Sequence, residues 1–495
     1  MGANTSNVVP GPWQRSRPSG KIRRAFQAAK RDRLSADWLS SGEDINLELR
    51  HALQIIRSRA RELEQNSNTA RRFLSLCETH IVGPQGFLLQ VKGKQRNGKL
   101  DDKRNRVIND AWWDWMRPGV GEITGRLSGP AWQRLAARTA ARDGEVLIRM
   151  HDVQPTLENP YGFVVEMLDP ARLDERYNDD LPDGRRVRLG VEMDRSGRPV
   201  AYHLKTGETT MYATSYTHER VPAEDLIHFF VADRPEQVRG VSWMASAMMN
   251  IHMMGAYQDA AVTAARWGAA KMGFFEAPEG GGPGDLATDK DGRDFITEAE
   301  PGEFEVVPEG YRFVSHDPKY PHENYDPFVR TTNRDLSMGL GVSYHSMTGD
   351  LSDVNYGSMR GGALEEREGW QVRQDAISDT ILSRVYVRWL SAAAFNRALG
   401  LGTMGQDEII GRFRHHLWQG RRWPWVDPKK DIETAIMAIR ARLRSPQQVA
   451  AELGVDIEDV LDQITDFNDM LQAKGLTMDL SNQGGAPNGG EPEED

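Results

Sequence analysis

The sequence predicts an α+β protein that is mainly α, and three observations support this prediction. Two long segments with apolar residues at helical spacing flank the stretch between Gly339 and Arg360. Short β-branched or aromatic runs cluster in residues 145–233, which indicates a mostly antiparallel sheet region. At 495 residues the chain is too long for one ordinary core, so we expect two or more subdomains.

Charge and cysteine content restrict the classes of function. The net charge is −10 at pH 7, whereas a protein that grips DNA is expected to present a basic face, so any DNA contact should be loose or transient. The single cysteine, Cys77, excludes a disulfide framework, a zinc-ligand pair and a redox CxxC motif, and it should be a small buried residue. We expect no secretion signal and no membrane span, because polar residues interrupt even the most apolar helix.

The N-terminal part begins with a basic arm, residues 1–42, rich in Pro, Gly and Ser. Such an arm binds nucleic acid or an acidic surface, or is simply a solvated terminus, and the sequence leaves these alternatives open. Helices are predicted at residues 43–65 and 69–80 around a polar break. Trp112, Trp113 and Trp115 fall on a further helix and are expected to anchor a core or a subunit contact.

The strand-rich region is predicted from five runs: EVLIRMHDV, YGFVVEML, RRVRLGVEM, PVAYHLK and DLIHFFV. The turn Asp194-Arg195-Ser196-Gly197 should join two of them as a hairpin. A helix follows over residues 241–270, with Met, Ala and Gly on nearly every face. Such a helix must be buried on nearly every face, either in a core or between subunits.

Residues 271–325 read as a small insert, with KMGFFEA as a strand and EFEVVPEGYRFV as a hairpin. A second helix, at about residues 326–339, ends near Gly339 and Gly341. The next tract, GLGVSYHSMTGDLSDVNYGSMR, is too long and irregular for an ordinary helix–helix link, which favours a functional loop. Near the C-terminus, helices should start at Asp427-Pro428 and Ser445-Pro446.

Three weaker patterns favour structural interpretations. Residues 445–464 resemble a helix-turn-helix, but the candidate recognition helix carries Asp456, Glu458, Asp459 and Asp462, which phosphates would repel. Residues 288–298 partly match a calcium loop but lack the first ligand, since Ala287 stands there. His415 and His416 have no carboxylate at ligand spacing. The chain has no Walker A, HExxH, GxSxG or GxGxxG motif.

Several motifs occur together in one order along the chain. They are RARELEQNSNTARRFLSLCETHIVGPQGF, Asp143-Gly144-Glu145, GVEMDRSGRPVAYHL, VPAEDLIHFFVADRPEQVRGVSW, Gly341-Val342-Ser343-Tyr344, Thr348-Gly349-Asp350-Leu351-Ser352, Asn355-Tyr356 and RRWPWVDPKKDIETA. This order resembles that of the lambda-type portal proteins of tailed bacteriophages over most of residues 59–476. Gly357 replaces the first Ser of the family's NYSS motif, a departure that bears on local flexibility.

The resemblance implies a portal fold that assembles as a ring, usually of twelve copies, around a central channel. It divides the chain into an arm (1–42), a wing (43–240), stem helix 1 (241–270), a clip (271–325), stem helix 2 (326–341), a tunnel loop (342–362), wing and crown helices (363–430), crown helices (431–480) and a disordered acidic tail (481–495). The implied protein is not an enzyme and needs no cofactor or metal.

The implied partners are further copies of the chain, double-stranded DNA in the channel, the terminase large subunit, major capsid and scaffold proteins, and head–tail connector proteins. The implied locations are the portal vertex of the virion and, during assembly, the host cytoplasm. The candidate channel-lining residues are Tyr344, His345, Asp350, Asp353, Asn355, Tyr356, Ser358 and Arg360. The candidate stem residues for subunit packing are Met244, Met248, Met249, Met253, Met254, Arg330 and Arg334.

Arg360 is the candidate most suited to meet phosphates, and a salt bridge to Glu365 or another neighbour is the equal alternative. Two other classes of function stay open. One is a magnesium-dependent DNA-processing enzyme that uses Asp350 and Asp353, and the other is a DNA-binding regulator that uses residues 445–464. The enzyme predicts metal-dependent DNA cleavage by the purified protein, and the regulator predicts tight, sequence-dependent DNA binding.

Overall fold

The computed structural model describes residues 42, 44–206, 217–269, 273–276, 312–315, 324–352, 355–423, 427–455, 457–474 and 476. The predicted α+β, mainly α class is confirmed. The predicted arm, the partial calcium loop, the C-terminal tail and most of the insert at 271–325 lie outside the described residues. None of the helices within the described ranges is both long and apolar enough to cross a bilayer.

Helices form most of the described structure. They are α1 (Ile45–Asn66), α2 (Asn68–Cys77), α3 (Asp102–Trp115), α4 (Gly129–Asp143), α5 (Met248–Ala269), α6 (Tyr325–Leu340), α7 (Tyr344–Thr348), α8 (Tyr356–Ile377), α9 (Ser383–Phe395), α10 (Gln406–Phe413), α11 (Pro428–Arg440), α12 (Pro446–Leu453) and α13 (Ile457–Ala473). A π-helical turn, Glu78–Val82, extends α2, and another, Ser378–Leu382, joins α8 to α9 without a break.

The strands form four small sheets among the described residues. The strands are β1 (Leu88–Val91), β2 (Glu145–Asp152), β3 (Phe163–Leu168), β4 (Asp179–Asp180), β5 (Arg186–Arg188), β6 (Val191–Met193), β7 (Pro199–Thr206), β8 (Thr217–Pro222), β9 (Leu226–Phe230), β10 (Gly273–Glu276), β11 (Arg312–Ser315) and β12 (His416–Gln419). The strand orders are β1-β12, β10-β11, β3-β2-β9 and β4-β5-β6-β7-β8, and neighbouring strands are antiparallel.

The first two helices form where the sequence predicts them, because each has a polar cap. The Asp44 carboxylate accepts from the backbone N–H of Asn46 and begins α1. Ser67 ends α1 and caps α2 by accepting from Ala70 N. Ser67 alone therefore turns the chain between two helices, both of which bury one apolar face.

Tryptophans form the centre of the larger core. The Trp112 and Trp115 ring centroids lie 4.8 Å apart, and the centroid of Trp389 lies 5.2 Å from that of Trp112. Trp115 Nε1 donates to Phe163 O at 2.9 Å, which ties α3 to β3. Of the three tryptophans predicted to be anchors, Trp113 differs, because its side chain is 39% exposed.

The predicted strands are confirmed with one exception. The run RRVRLGVEM is not one strand but two, β5 and β6, because Leu189 and Gly190 have φ angles of 51° and 84° and turn the chain. The predicted hairpin turn forms between β6 and β7, where the Asp194 carboxylate accepts from Ser196 N and Arg198 N. The described part of the predicted 303–314 hairpin, β11, pairs with β10, and its first half lies outside the described residues.

A buried ionic cluster joins α1, the three-stranded sheet and the segment that leads into α5. The fully buried Glu145 carboxylate accepts from Arg239 Nε at 2.8 Å and Nη2 at 2.5 Å, and from Arg57 Nη2 at 3.1 Å. It also contacts His228 Nε2 at 2.9 Å and Gly240 N at 3.2 Å. Gly144, just before it, has φ 89° and lies directly against Val241. This cluster fixes the base of α5.

The predicted helix over residues 241–270 is shorter than expected, since α5 begins at Met248. Residues 243–247 form turns instead, because Trp243 N donates to Ala141 O at the end of α4 and Met244 N donates to Ser242 Oγ. The single chain does not bury this helix on nearly all faces, which excludes the core alternative and leaves burial between subunits as a prediction. Met249 and Met253 are 59% and 60% exposed.

The C-terminal helices begin at the predicted caps. Asp427 accepts from Lys430 N at the start of α11, and Ser445 and Gln448 form a capping box at the start of α12. Gly454, at φ 84°, ends α12 before α13, as a helix-turn-helix would require. Asp462 of α13 forms an ion pair with Arg106 of α3, which engages part of the proposed recognition surface in an intramolecular contact.

Candidate functional site

The stretch predicted as an irregular tunnel loop is largely helical. Ser343 caps the short helix α7 by accepting from Ser346 N at 3.2 Å, and Gly349 ends it at φ 74°. Helix α8 already begins at Tyr356, inside the predicted 342–362 loop. We call residues 342–352 the α7 segment. The sequence contains the cap residues Ser343 and Gly349, but its many Gly, Ser, Asp and Asn residues favoured a loop over this helix of five residues.

Asp350 organises the end of the α7 segment. Its carboxylate accepts from Tyr344 Oη at 2.9 Å, Ser352 Oγ at 2.6 Å and Ser352 N at 3.0 Å. These hydrogen bonds, those from Ser352 first, lower the pKa of Asp350 to about 2. His345 Nδ1 donates to the Asp350 carbonyl at 2.8 Å. Asp350 is therefore ionised at neutral pH, and its carboxylate oxygens already serve contacts within the segment.

The α7 segment is anchored to three helices. The Arg72 guanidinium of α2 donates to Ser346 O at 3.0 and 2.8 Å, and Ser346 Oγ donates to Glu366 of α8 at 2.7 Å. The Arg334 Cζ of α6 lies 5.5 Å from the Tyr344 ring centroid. Val342 and Met347 are the buried apolar residues of this segment. Sequence reasoning missed Arg72 and Glu366, since no local signal links α2 to a segment 274 residues further along the chain.

The remaining channel candidates do not cluster around a single reactive or binding group. Arg360 forms an ion pair with Asp431 of α11 at 2.9 Å, so the salt-bridge alternative holds for this residue, with a different partner from Glu365. Asn355 is exposed immediately before α8, and Tyr356 and Ser358 lie in the first turn of that helix. Asp353 lies outside the described residues. The described candidates therefore give a polar surface, and among the described residues no three His, Cys, Asp or Glu side chains are placed to hold a metal ion.

Helices α5 and α6 pack side by side in opposite directions, and we call this pair the α5–α6 arm. Asn250 Nδ2 donates to Asp335 Oδ2 at 3.2 Å, and Ser246 Oγ donates to Gly339 O at 3.1 Å. Further out, the Tyr257 ring centroid lies 5.1 Å from that of Phe328. These contacts hold one side of each helix. Apolar side chains of both helices nevertheless stay exposed, namely Met249, Met253, Val262 and Met338, and Tyr257 and Phe328 are 39% and 51% exposed beside their own contact.

The structure divides the predicted stem residues into two groups. Met244, Met248 and Met254 are buried inside the chain. Met249 and Met253 are exposed, and subunit packing stays a prediction for them. Arg330 forms an ion pair with Asp326 one turn away at 2.9 Å, and Arg334 covers Tyr344 as described above.

His416 contacts a neighbouring helix, since its Nε2 lies 3.0 Å from Ser383 Oγ in α9. This contact agrees with the structural interpretation of His416.

Comparisons with known proteins give one consistent result. Residues 31–374 match the family model described as "Phage portal protein, lambda family". The chain is 32% identical over 488 residues to the probable portal protein of Halomonas phage phiHAP-1, covering 94% of this chain and 93% of that protein. It is 21% identical over 469 residues to portal protein B of Escherichia phage lambda, covering 86% and 85% of the two chains.

Among solved structures, a chain from the neck of an empty GTA particle computed with C6 symmetry is similar at a TM-score of 0.42 and 14% identity, covering 81% of this chain and 94% of that one. The family match spans well over half of the sequence, and the relatives align over nearly their full lengths. The chain therefore belongs to the lambda family of phage portal proteins.

Proposed function

We propose that this chain is one subunit of a homo-oligomeric ring of twelve copies, through which double-stranded DNA enters and leaves a phage capsid. The observation that supports this most is the exposed apolar surface of the α5–α6 arm. A helix in water needs a partner for such a surface, and a large exposed apolar patch marks an interaction site. Head-to-tail contacts between identical subunits supply that partner and close into a ring.

The two sides of the arm suit this arrangement. Met248 and Ile251 belong to the chain's larger core and Met254 is also buried, while Met249 and Met253 stay exposed for a neighbouring copy. Methionine side chains are flexible and polarizable, so they keep contact when neighbouring helices shift. The interface is thus suited to a ring whose subunits must adjust as DNA passes.

The α7 segment and the start of α8 are proposed to line the channel. Most of the candidate residues there are polar, and two of them, Asp350 and Arg360, make contacts within the chain. Such a surface exchanges hydrogen bonds with hydrated DNA without holding it. The net charge of −10 supports the same conclusion, because every phosphate neutralised by a protein cation adds salt-dependent affinity.

The ring would occupy one vertex of the virion, after assembly in the host cytoplasm. Its proposed partners are the terminase large subunit at residues 271–325, head–tail connector proteins at the same end, and major capsid and scaffold proteins. We propose that the chain is not an enzyme, and that the terminase supplies ATP hydrolysis. Metal-dependent cleavage of DNA by the purified protein would instead support the enzyme alternative.

A double variant tests the ring. Met249→Glu with Met253→Glu places two charges on the exposed side of α5, and we expect it to fold but to stay monomeric, because burying unpaired charges opposes association. Leu157→Glu is the control, since Leu157 is an exposed apolar residue in the loop between β2 and β3, outside the two helices of the arm. Negative-stain imaging and native mass spectrometry read out the result. Annular particles with the double variant would contradict the proposed interface.

A loop replacement tests the channel lining. Replacing residues 348–355 with a Gly/Ser linker of equal length retains the buried Met347 and the start of α8. We expect normal rings but reduced DNA packaging or retention in particles that carry the variant. Normal filling would remove the role proposed for this segment.

A further inference from the structure

We propose that a groove between α1 and α5 of one subunit receives the Met338 side chain of a neighbouring copy. This inference rests on the proposed function and names two surfaces that meet in the ring. We call the groove the α1–α5 groove. Its lining includes the apolar residues Ile56, Leu63, Met248 and Met249 and the charged residues Arg59 and Glu62.

The α1–α5 groove is open and largely apolar. Its volume of about 490 Å³ is far above the about 30 Å³ that one water takes up in the liquid, so it has room for a large side chain. Leu63 and Met248 are 5% and 8% exposed, whereas Met249 is 59% exposed. Apolar surface of this kind marks an interaction site. Met249 makes the groove continuous with the surface of α5 proposed above to meet a neighbouring copy.

The groove and α6 lie on different sides of α5. Asn250 and Tyr257 are the residues of α5 that contact Asp335 and Phe328 of α6. At 3.6 residues per turn, the groove residues Met248 and Met249 lie on average about 140° around the helix from Asn250 and Tyr257. A head-to-tail contact needs two different surfaces, one on each side of the subunit. The groove on one side of α5 and helix α6 on the other meet this requirement.

Met338 is the side chain of α6 that is free to enter such a groove. It is 76% exposed, whereas Leu336 and Leu340 of the same helix are each 2% exposed. At 3.6 residues per turn, Met338 lies about 180° around the helix from the mean direction of these two leucines, so it points away from the chain's own core. Phe328, the other exposed apolar side chain of α6 in the described ranges, packs on Tyr257. A methionine side chain is flexible and fills irregular apolar gaps.

Met338 and the groove also lie at the same level of the α5–α6 arm. Ser246 Oγ donates to Gly339 O at 3.1 Å, which places the residue after Met338 beside the segment that leads into α5. The groove residue Met248 is the first residue of α5. Rotation about a ring axis moves a subunit around that axis but not along it, so surfaces that meet in a closed ring have equal heights. With the arm parallel to the channel, Met338 and the groove of the next copy satisfy this condition.

Cysteine cross-linking of the purified full-length protein tests this contact. The double variant Arg59→Cys with Met338→Cys places one thiol beside the groove and one at its proposed occupant, and both positions are exposed. Cys77 is fully buried and burial raises its pKa to about 12, so it does not compete for a short bismaleimide. We expect a ladder of covalent oligomers, up to the size of the ring, in denaturing gels.

Mixed rings distinguish a head-to-tail contact from a symmetric one. Either single variant alone should give no cross-linked species. Rings assembled from both single variants should give covalent dimers and nothing longer, because each bond joins one Arg59→Cys subunit to one Met338→Cys subunit. Leu157→Cys with Met338→Cys is the control pair, since Leu157 is exposed in the loop between β2 and β3, and it should give no ladder.

Rings intact by negative-stain imaging but without a ladder in the double variant would overturn the groove contact and leave the ring proposal standing. Dimers of Met338→Cys alone would also overturn it, since they require two Met338 positions to meet. If a maleimide labelled Arg59→Cys as fast in rings as in dissociated subunits, the groove would be open to a different protein, and the contact would be refuted. Absence of rings in the unmodified protein would instead contradict the proposed function itself.

Discussion

The substitution Glu145→Gln should strongly destabilise the folded chain, although it removes only a charge. The Glu145 carboxylate is completely buried and accepts hydrogen bonds from Arg239, Arg57 and Gly240. The neutral amide leaves the fully buried Arg239 guanidinium without its counter-charge. Removing one partner of a buried ion pair lowers the free energy of unfolding by about 3–5 kcal/mol, and we expect a decrease in that range.

Urea denaturation followed by tryptophan fluorescence measures this decrease, since several of the tryptophans are buried in the core that unfolding exposes. The matched control is Glu219→Gln. Glu219 also pairs with an arginine, Arg149, at 2.7 Å, but this pair is part-exposed and its removal should change the free energy by about 0–1 kcal/mol. A decrease in Glu145→Gln no larger than that of the control would refute the reasoning.

The buried cluster around Glu145 should also make the free energy of unfolding decrease in acid. Arginine and histidine contacts hold the pKa of Glu145 below its ordinary value of 4.5 despite the opposing effect of burial, so its stabilising contribution is present above pH 4.5 and is lost as pH falls. Burial lowers the pKa of His228 below its ordinary value of 6.5. Below pH 6.5 the unfolded chain therefore binds a proton at this histidine more readily than the folded chain does, which favours unfolding. Stability of the unmodified chain should therefore fall in acid, and Glu145→Gln should lose the part of this dependence below pH 4.5.

Three further predictions concern other parts of the core. Gly144→Ala should prevent stable folding, since a Cβ there would lie 2.3 Å from the backbone of Val241. Gly98→Ala meets no atom within 4 Å but keeps a φ of 84°, so it should cost only the backbone strain of about 1–2 kcal/mol; soluble yield and melting temperature distinguish the two. Trp112→Ala should lower the free energy of unfolding by about 3–5 kcal/mol, and Trp113→Ala by much less, since Trp113 is part-exposed. Denaturant titration compares the two variants, and equal decreases would contradict the assigned core. Burial raises the pKa of the Cys77 thiol to about 12, so a thiol reagent at pH 8 should label it only in denaturant, and rapid labelling of the native chain would show that this site opens.

Local patterns predicted most of the regular elements. The strand runs of residues 145–230 are short, rich in β-branched or aromatic residues, and end at turn residues such as those around Asp194, so the local sequence indicates them. The caps at Asp44, Ser67 and Ser445 likewise act within three residues of their own positions. Elements of this kind need no knowledge of distant contacts.

Distant contacts explain where the sequence prediction failed. The start of α5 moves to Met248 because Ala141, about a hundred residues earlier, accepts from Trp243 N. The partner of Arg360 is Asp431, 71 residues away, where the local sequence offered Glu365. The division of the methionines into buried and exposed groups also depends on which side of α5 meets the core. No periodicity in the sequence contains that information.

The continuous path from α8 through the π-helical turn into α9 has a mechanical consequence. Its segments of 22, 5 and 13 residues give a continuous helical path of about 60 Å at 1.5 Å per residue. One end starts beside the α7 segment, and the other carries Trp389 into the tryptophan core. We expect a displacement at the start of α8 to be transmitted along this path toward the tryptophan core, with the π turn as the place where the path bends first.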